Sequence, residues 1–167
     1  MFNWLGQDCT GMNVLDLFAG TGALGFEAAS RGAGGVVLVE QNRQVFTQLQ
    51  QNKAYLLSKW PAAEGSAPSI QVEAADVLAC LKRLASAGKQ FDLVALDPPF
   101  RSELMHAALP LLKNVLKAGG LVYAEWHENL FADEAALCKA LNVQEIDALR
   151  HLKAGQVHAH LFALPAL

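Results

Sequence analysis

The sequence predicts a doubly wound α/β fold in which a mostly parallel sheet of seven strands is covered by helices on both faces. Short apolar runs alternate regularly with stretches of helical spacing along nearly the whole chain. The last two apolar runs are separated by a short turn, which indicates a hairpin and one antiparallel strand near the sheet edge. The chain has 167 residues and is 53% hydrophobic, so it suits one domain with a large core.

The first half of the chain predicts three strands, each followed by a helix. Each predicted strand is a short apolar run, and each predicted helix has apolar residues three or four positions apart. The strands are expected at 12–18, 35–40 and 70–74, and the helices at 21–31, 44–57 and 77–87. Positions 60–69 hold prolines, a glycine and serines, which predicts a loop.

The second half predicts four further strands. One strand at 91–96 stops before Pro98-Pro99, because proline cannot continue a central strand. The next helix is expected at 102–117, kinked or split at Pro110 and ended by Gly119-Gly120. The remaining elements are a strand at 121–126, a short helix at 133–140, and strands at 143–152 and 156–164 joined by a turn at 153–155.

Composition excludes several classes of protein. The net charge is −3, which provides no broad basic surface of the kind that nucleic-acid binding normally uses. Cys9, Cys80 and Cys138 are odd in number and widely spaced, so we expect reduced thiols and no metal site. The longest uncharged apolar run, 32–39, is too short to cross a membrane, and the start lacks a signal-peptide pattern. We therefore expect a cytoplasmic protein.

The end of the first strand carries the pattern of a ligand site. Ligands of doubly wound sheets bind beyond the carboxyl ends of the strands, where the strand order reverses. Here Asp16 is followed by Gly20 and Gly22, which let the backbone approach a ligand at a helix start. The glycine pattern at 20–25 also fits a dinucleotide fingerprint or a plain tight turn. Asp16 would oppose a pyrophosphate and favours a cationic sulfonium or its amino group, with Phe18 packed beneath the cofactor.

Carboxylates follow the second and third strands as well. Glu40 lies 20 residues after Gly20 and is placed to accept hydrogen bonds from ribose hydroxyls, or to be an ordinary exposed residue at a helix start. Asp76 is placed to accept a hydrogen bond from an adenine amino group, with Val77 beside the ring. Asp76 also suits the N-cap of the next helix, and both roles are compatible.

The most specific pattern is Asp97-Pro98-Pro99-Phe100, after the fourth strand. Two prolines fix a rigid loop that aims the Asp97 carboxylate and nearby carbonyls at one point. An exocyclic amine on a base is a poor nucleophile because its lone pair is delocalised into the ring. Hydrogen-bond acceptors localise that lone pair, and Phe100 offers a face on which the base stacks. A simple loop breaker is the alternative for this motif taken alone.

With these residues the sequence resembles the class I, Rossmann-like methyltransferases, and more narrowly the bacterial 16S ribosomal RNA guanine-N2 methyltransferases of the RsmD type. The resemblance is carried by residues 2–5, 16–33, 96–100 and 155–158. It implies methylation of a guanine N2 amino group, with 16S ribosomal RNA or an assembling small subunit as the partner. It also implies that S-adenosylmethionine is bound by Asp16, Gly20, Glu40 and Asp76, with Asp97–Phe100 as the reaction centre.

The family carries a basic N-terminal segment before the element at 2–5. We therefore expect a single methyltransferase domain at 1–167 that lacks this segment, and a monomer. A DNA amino-methyltransferase and a cofactor-binding module without activity remain alternatives. A dinucleotide oxidoreductase is disfavoured by Asp16 and by the motif at 97–100. His158 and His160 share a strand face, but no carboxylate at ligand spacing accompanies them, which favours ordinary strand positions over a metal site.

Overall fold

A seven-stranded sheet runs through the structure, a computed structural model that describes residues 1, 3–6, 8–61, 67–99 and 103–165. The strands are β1 Asn13–Asp16, β2 Gly35–Val39, β3 Ser69–Glu73, β4 Phe91–Leu96, β5 Leu116–Trp126, β6 Asp147–Ala154 and β7 Val157–Ala163. The helices are α1 Ala23–Ser30, α2 Arg43–Ser58, α3 Val77–Ser86, α4 Leu104–Leu112 and α5 Glu134–Leu141, with a 3-10 turn at Leu130–Asp133.

The strand order is β3-β2-β1-β4-β5-β7-β6. The strands β1 to β5 pair in parallel, and among the described strands β7 alone runs antiparallel to its neighbours β5 and β6. The order reverses between β1 and β4, where Asp16 lies opposite Ala95. The predicted fold class is confirmed, and this reversal brings the carboxyl ends of β1 and β4 together.

Helices cover both faces of the sheet because successive strand residues point to opposite sides. On one face, α3, α4 and α5 pack on the sheet through Leu81, Leu109 and Leu141. On the other face, α1 and α2 pack through Ala28 and Leu49. None of the helices in the described part of the chain combines the length and the apolar character needed to cross a membrane.

The predicted helix at 102–117 is wrong in its second half. Helix α4 ends at Leu112, and β5 already begins at Leu116, before the two glycines. The Phe91 N–H donates to the Val115 carbonyl over 2.8 Å, and Phe91 pairs with Leu116. Pairing with β4 therefore overrides the helical spacing of this stretch, and a register shift carries β5 past the glycines.

The C-terminal hairpin also starts later than expected. Asn142 adopts a left-handed conformation at φ 55°, and the Val143 N–H donates to the Cys138 carbonyl over 3.0 Å. Val143 therefore belongs to the end of α5, and β6 begins only at Asp147. Because Ala154 pairs with Val157, the turn consists of Gly155 and Gln156 rather than residues 153–155.

Candidate active site

The loop between β1 and α1 leaves open space beside its first glycine. Gly20 and Gly22 have φ angles of 55° and 98°, a region that side-chain-bearing residues rarely adopt. A Cβ on Gly20 would meet no atom within 4 Å, whereas one on Gly22 would lie 2.1 Å from the Phe26 ring. The backbone at Gly20 is therefore accessible to a ligand, while Gly22 closes the turn against α1.

Asp16 is 1% exposed, and its carboxylate contacts the start of the helix that follows this loop. Its Oδ2 accepts a hydrogen bond from the Gly25 N–H over 3.2 Å, and the Phe18 N–H lies near enough to favour the charged carboxylate. Burial raises the pKa of Asp16 to about 7; the two backbone donors oppose this rise, and the charges of Asp97 and Glu40 add to it. Its Oδ1 is buried without a hydrogen-bond partner among the described residues. An unpartnered carboxylate oxygen at this depth suits a cationic or amino group of a ligand.

Glu40 follows β2 and reaches across to the same loop. Its Oε2 accepts a hydrogen bond from the Gly20 N–H over 3.1 Å, and its Oε1 accepts one from the Asn42 N–H over 2.7 Å. Both bonds fix the carboxylate beside the open space at Gly20. Each oxygen retains lone-pair capacity for a hydroxyl donor, so the predicted ribose contact remains chemically available.

Asp76 follows β3 and is the N-cap of α3. Its Oδ1 accepts a hydrogen bond from the Ala79 N–H over 2.9 Å, which confirms the capping role. The residue is exposed at the same sheet edge, so its carboxylate keeps acceptor capacity for a ligand. Val77 is 2% exposed and packs in the core, where its main role is to anchor the start of α3.

Asp97 follows β4, with Pro98 buried and Pro99 exposed beside it. Asp97 is exposed when the whole residue is considered. Its carboxyl group is nevertheless partly desolvated, which raises its pKa to about 6. The charge of Glu125 is the second cause of this rise. Phe100, predicted to stack the base, lies outside the described residues, as does Phe2 of the N-terminal element.

Glu125 and Tyr123 on β5 were missed by the sequence analysis. The Tyr123 hydroxyl donates to the Glu125 Oε1 over 2.5 Å, which orients the carboxylate. Leu96 pairs with Ala124, so Glu125 emerges beside Asp97. The sequence could have identified Glu125, because it is a carboxylate at the end of the fifth strand. Asp16, Glu40 and Asp97 were singled out for the same position on their strands.

A small cavity of about 40 Å³ lies where these residues meet. It is lined by Asp97, Pro98, Glu125, Trp126, His127 and Val157. A larger cavity of about 510 Å³ lies among the described residues near Gln90, Leu116 and Val143. Gln90 and Leu116 lie at the amino ends of β4 and β5, at the sheet edge opposite the strand-end carboxylates. In doubly wound sheets chemistry is found at the carboxyl edge, so the smaller cavity is the candidate reaction centre.

Residues 1–163 match the family described as Conserved hypothetical protein 95. The chain belongs to this family. Among curated relatives, the Ribosomal RNA small subunit methyltransferase D of Escherichia coli K12 is 37% identical over 127 residues, which cover 75% of this chain and 58% of that protein. The protein of the same name from Haemophilus influenzae is also 37% identical over 127 residues, 75% of this chain and 62% of the relative. The chain thus spans about three fifths of the length of these relatives.

Solved structures of methyltransferases share the fold of this family member. The putative methyltransferase yhhF from Escherichia coli superposes with a TM-score of 0.75 at 30% identity, covering 99% of this chain and 82% of that one. The Thermus thermophilus 16S rRNA N2 G1207 methyltransferase (RsmC), solved with AdoMet and guanosine, superposes with a TM-score of 0.69 at 26% identity, covering 98% and 40%. The predicted resemblance to RsmD-type methyltransferases is confirmed.

Proposed function

We propose that this chain is the catalytic part of an S-adenosylmethionine-dependent methyltransferase that modifies the exocyclic N2 amino group of a guanine in 16S ribosomal RNA. The observation that carries the proposal is the set of carboxylates gathered at one sheet edge. Asp16 and Glu40 border the open glycine loop, and Asp97 and Glu125 border the adjacent cavity. The names of the curated relatives support methylation of small-subunit ribosomal RNA.

The glycine-loop residues fit S-adenosylmethionine. This cofactor supplies an electrophilic methyl group on a cationic sulfonium. The unpartnered Oδ1 of Asp16 suits the positive charge or amino group of the cofactor's methionine part. Glu40 is placed to hold the ribose hydroxyls, and the second oxygen of Asp76 to hold the adenine amino group. The open side of Gly20 provides the room for this contact, while Gly22 closes the loop against Phe26, and Phe18 packs against the core.

Asp97 is proposed to act on the amino group that receives the methyl. With a pKa of about 6 it is mostly ionised at pH 7, so it accepts a hydrogen bond from the amino group. This bond turns the nitrogen lone pair away from the ring and towards the methyl carbon. With the cofactor bound, Asp97 would accept the proton that the amino nitrogen loses when it takes up the methyl group. Pro98 and Pro99 keep the loop rigid, and Phe100 is assigned the stacking of the base.

The pairing of Asp97 with Glu125 favours guanine over the other amino-bearing bases. Guanine carries a ring N1–H donor beside its amino group, so two adjacent carboxylates find two adjacent donors. In adenine and cytosine the ring nitrogen next to the amino group is an acceptor, which a second carboxylate would repel. The DNA amino-methyltransferase alternative, with adenine or cytosine as substrate, therefore matches these two carboxylates less well.

Exchange of Asp97 tests the proposed reaction centre. Asp97→Ala removes the acceptor for the amino group, so methyl transfer to 16S RNA should fall at least about 100-fold. S-adenosylmethionine binding, measured by calorimetry, should stay within a few fold because Asp97 does not border Gly20. Transfer is measured with tritiated cofactor on protein-free 16S RNA, small ribosomal subunits and DNA. Equal transfer by Asp97→Ala and the wild type would overturn the assignment, and tight NADH binding without S-adenosylmethionine binding would overturn the cofactor.

A further inference from the structure

The β6–β7 hairpin carries a cluster of three histidines at the outer edge of the sheet. One ring nitrogen from each of His151, His158 and His160 lies within 4.8 Å of the other two. His151 pairs with His160 across the hairpin, and His158 precedes His160 by two residues, so all three side chains leave one face. We propose that this cluster binds a divalent transition metal ion, with Zn²⁺ as the best fit.

The three ring nitrogens lie within 4.8 Å of one another, so modest side-chain movements would bring them to the spacing that a metal ion requires. His151 Nε2 and His158 Nδ1 lie 2.8 Å apart, which is a hydrogen-bond distance. Two nitrogens at about 2.0–2.1 Å from a tetrahedral zinc ion are roughly 3.3 Å apart. The two rings therefore need to separate by roughly half an ångström, with the shared proton moving to a distal ring nitrogen. His151 is exposed and has room for this adjustment.

His160 supplies the fixed, buried side of the cluster. It is fully buried, and its Nδ1 lies 3.3 Å from the Ala124 carbonyl oxygen, which makes Nδ1 the protonated nitrogen. Metal-binding histidines commonly donate their second ring nitrogen to a backbone carbonyl in this way. The Nε2 accepts a hydrogen bond from the Leu130 N–H over 3.0 Å. The Nε2 also lies 3.3 Å from Asn129 Oδ1, so coordination through Nε2 requires His160 to turn away from both partners. The loss of the bond from Leu130 lowers the metal affinity by about tenfold to 100-fold.

The surroundings of His158 and His160 favour the neutral imidazole that binds metals. Burial, then the positive charges that His151 and His158 would carry, lower the pKa of His160 to about 4 against the opposing bond to Ala124. The pKa of His158 is also lowered, by desolvation and by His151 and Lys153. Lys153 pairs with His158 across the hairpin, so its charge weakens metal binding to some degree. His158 and His160 are therefore in the neutral form near neutral pH.

A bound ion would secure the most exposed strand of the sheet. All eight residues of β6 are exposed, and β6 pairs with β7 along the sheet edge. An ion held by His151 on β6 and by two histidines on β7 would cross-link the two strands. The adjacent residue Val157 lines the candidate reaction cavity, so the same ion would steady one wall of that cavity.

Calorimetric titration of the full chain with zinc chloride tests the site. We expect one ion per chain, and His151→Ala should weaken binding at least about 30-fold because one of three ligands is lost. The matched control is His106→Ala, which removes an exposed histidine from α4 outside the cluster and should leave the affinity unchanged. His158→Gln provides a second variant that keeps a polar side chain of similar reach.

Two further readouts identify the ligands directly. Co²⁺ bound to the wild type should show the visible absorption of a tetrahedral nitrogen site, and zinc should slow amide exchange across β6. Absence of saturable binding at one ion per chain in the wild type would overturn the proposal. So would equal affinities in the wild type, His151→Ala and His158→Gln, with circular dichroism showing that the variants remain folded.

Discussion

Replacing Asp16 by Asn should raise stability at neutral pH while weakening cofactor binding. Burial raises the pKa of Asp16 from 3.8 to about 7, so the folded chain holds a proton that the unfolded chain has already lost between these pH values. Wild-type stability therefore falls as pH rises from about 4 to about 7. At about 1.4 kcal/mol for each pH unit, the complete loss from this group amounts to about 4 kcal/mol.

The asparagine variant recovers only part of that loss. Its amide oxygen still accepts the hydrogen bond from the Gly25 N–H, but its amino group occupies the place of the unpartnered Oδ1. An unsatisfied buried donor costs about 1–3 kcal/mol. The net gain of Asp16→Asn above pH 7 is therefore about 1–3 kcal/mol, and it should vanish or reverse below pH 4.

Urea unfolding of both proteins between pH 4 and pH 9 measures this difference. The free energy of unfolding of the wild type should decline relative to that of Asp16→Asn across the window from about pH 4 to pH 7. Calorimetry on the same samples should show S-adenosylmethionine binding at least about tenfold weaker in the variant, because the carboxylate charge is lost. A difference in unfolding free energy that stays constant with pH would refute the assignment of a raised pKa to this buried carboxyl.

Two further substitutions probe the reaction cavity and the glycine loop. Because Glu125 helps to raise the pKa of Asp97 to about 6, Glu125→Gln should move the acid limb of the kcat/KM profile to lower pH and reduce transfer to guanine; an unchanged acid midpoint would contradict the coupling. Gly22→Ala should cost at least about 2 kcal/mol more than Gly11→Ala in urea unfolding, since both glycines have positive φ but only the Cβ at Gly22 would meet the Phe26 ring. Equal losses in the two alanine variants would remove the steric argument.

The alternation of strands and helices was predictable because local patterns carry it. The strand at 91–96 agrees with β4 residue for residue, since an apolar run is bounded there by Pro98-Pro99. The start of β5 was not predictable from spacing. Residues 116–118 have a helical pattern, and only hydrogen bonding to Phe91 on β4 makes this stretch a strand. Long-range pairing of this kind leaves no trace in the local sequence.

The candidate site residues also divide into those that local sequence patterns reveal and those that depend on pairing between strands. Asp16, Glu40, Asp76 and Asp97 were found because each lies at or close to the carboxyl end of a predicted strand, and Glu125 escaped notice although it obeys the same rule. The histidine cluster depends instead on the register of the hairpin. With a turn at 153–155, His151 would face away from His158 and His160, whereas the two-residue turn at 155–156 turns it to their side. The turn at 153–155 would pair Leu152 with Gln156, whereas Leu152 pairs with Ala159, and this odd shift of three residues moves His151 to the face of the other two histidines.

Identification of the methylated nucleoside tests the central claim most directly. Protein-free 16S RNA is incubated with this chain and S-adenosylmethionine, digested to nucleosides and separated against standards. The arrangement of Asp97 beside Glu125 predicts N2-methylguanosine, with its yield falling at least about 100-fold for Asp97→Ala. Methylated adenine or cytosine in its place, or the same yield of N2-methylguanosine from Asp97→Ala, would contradict the assignment.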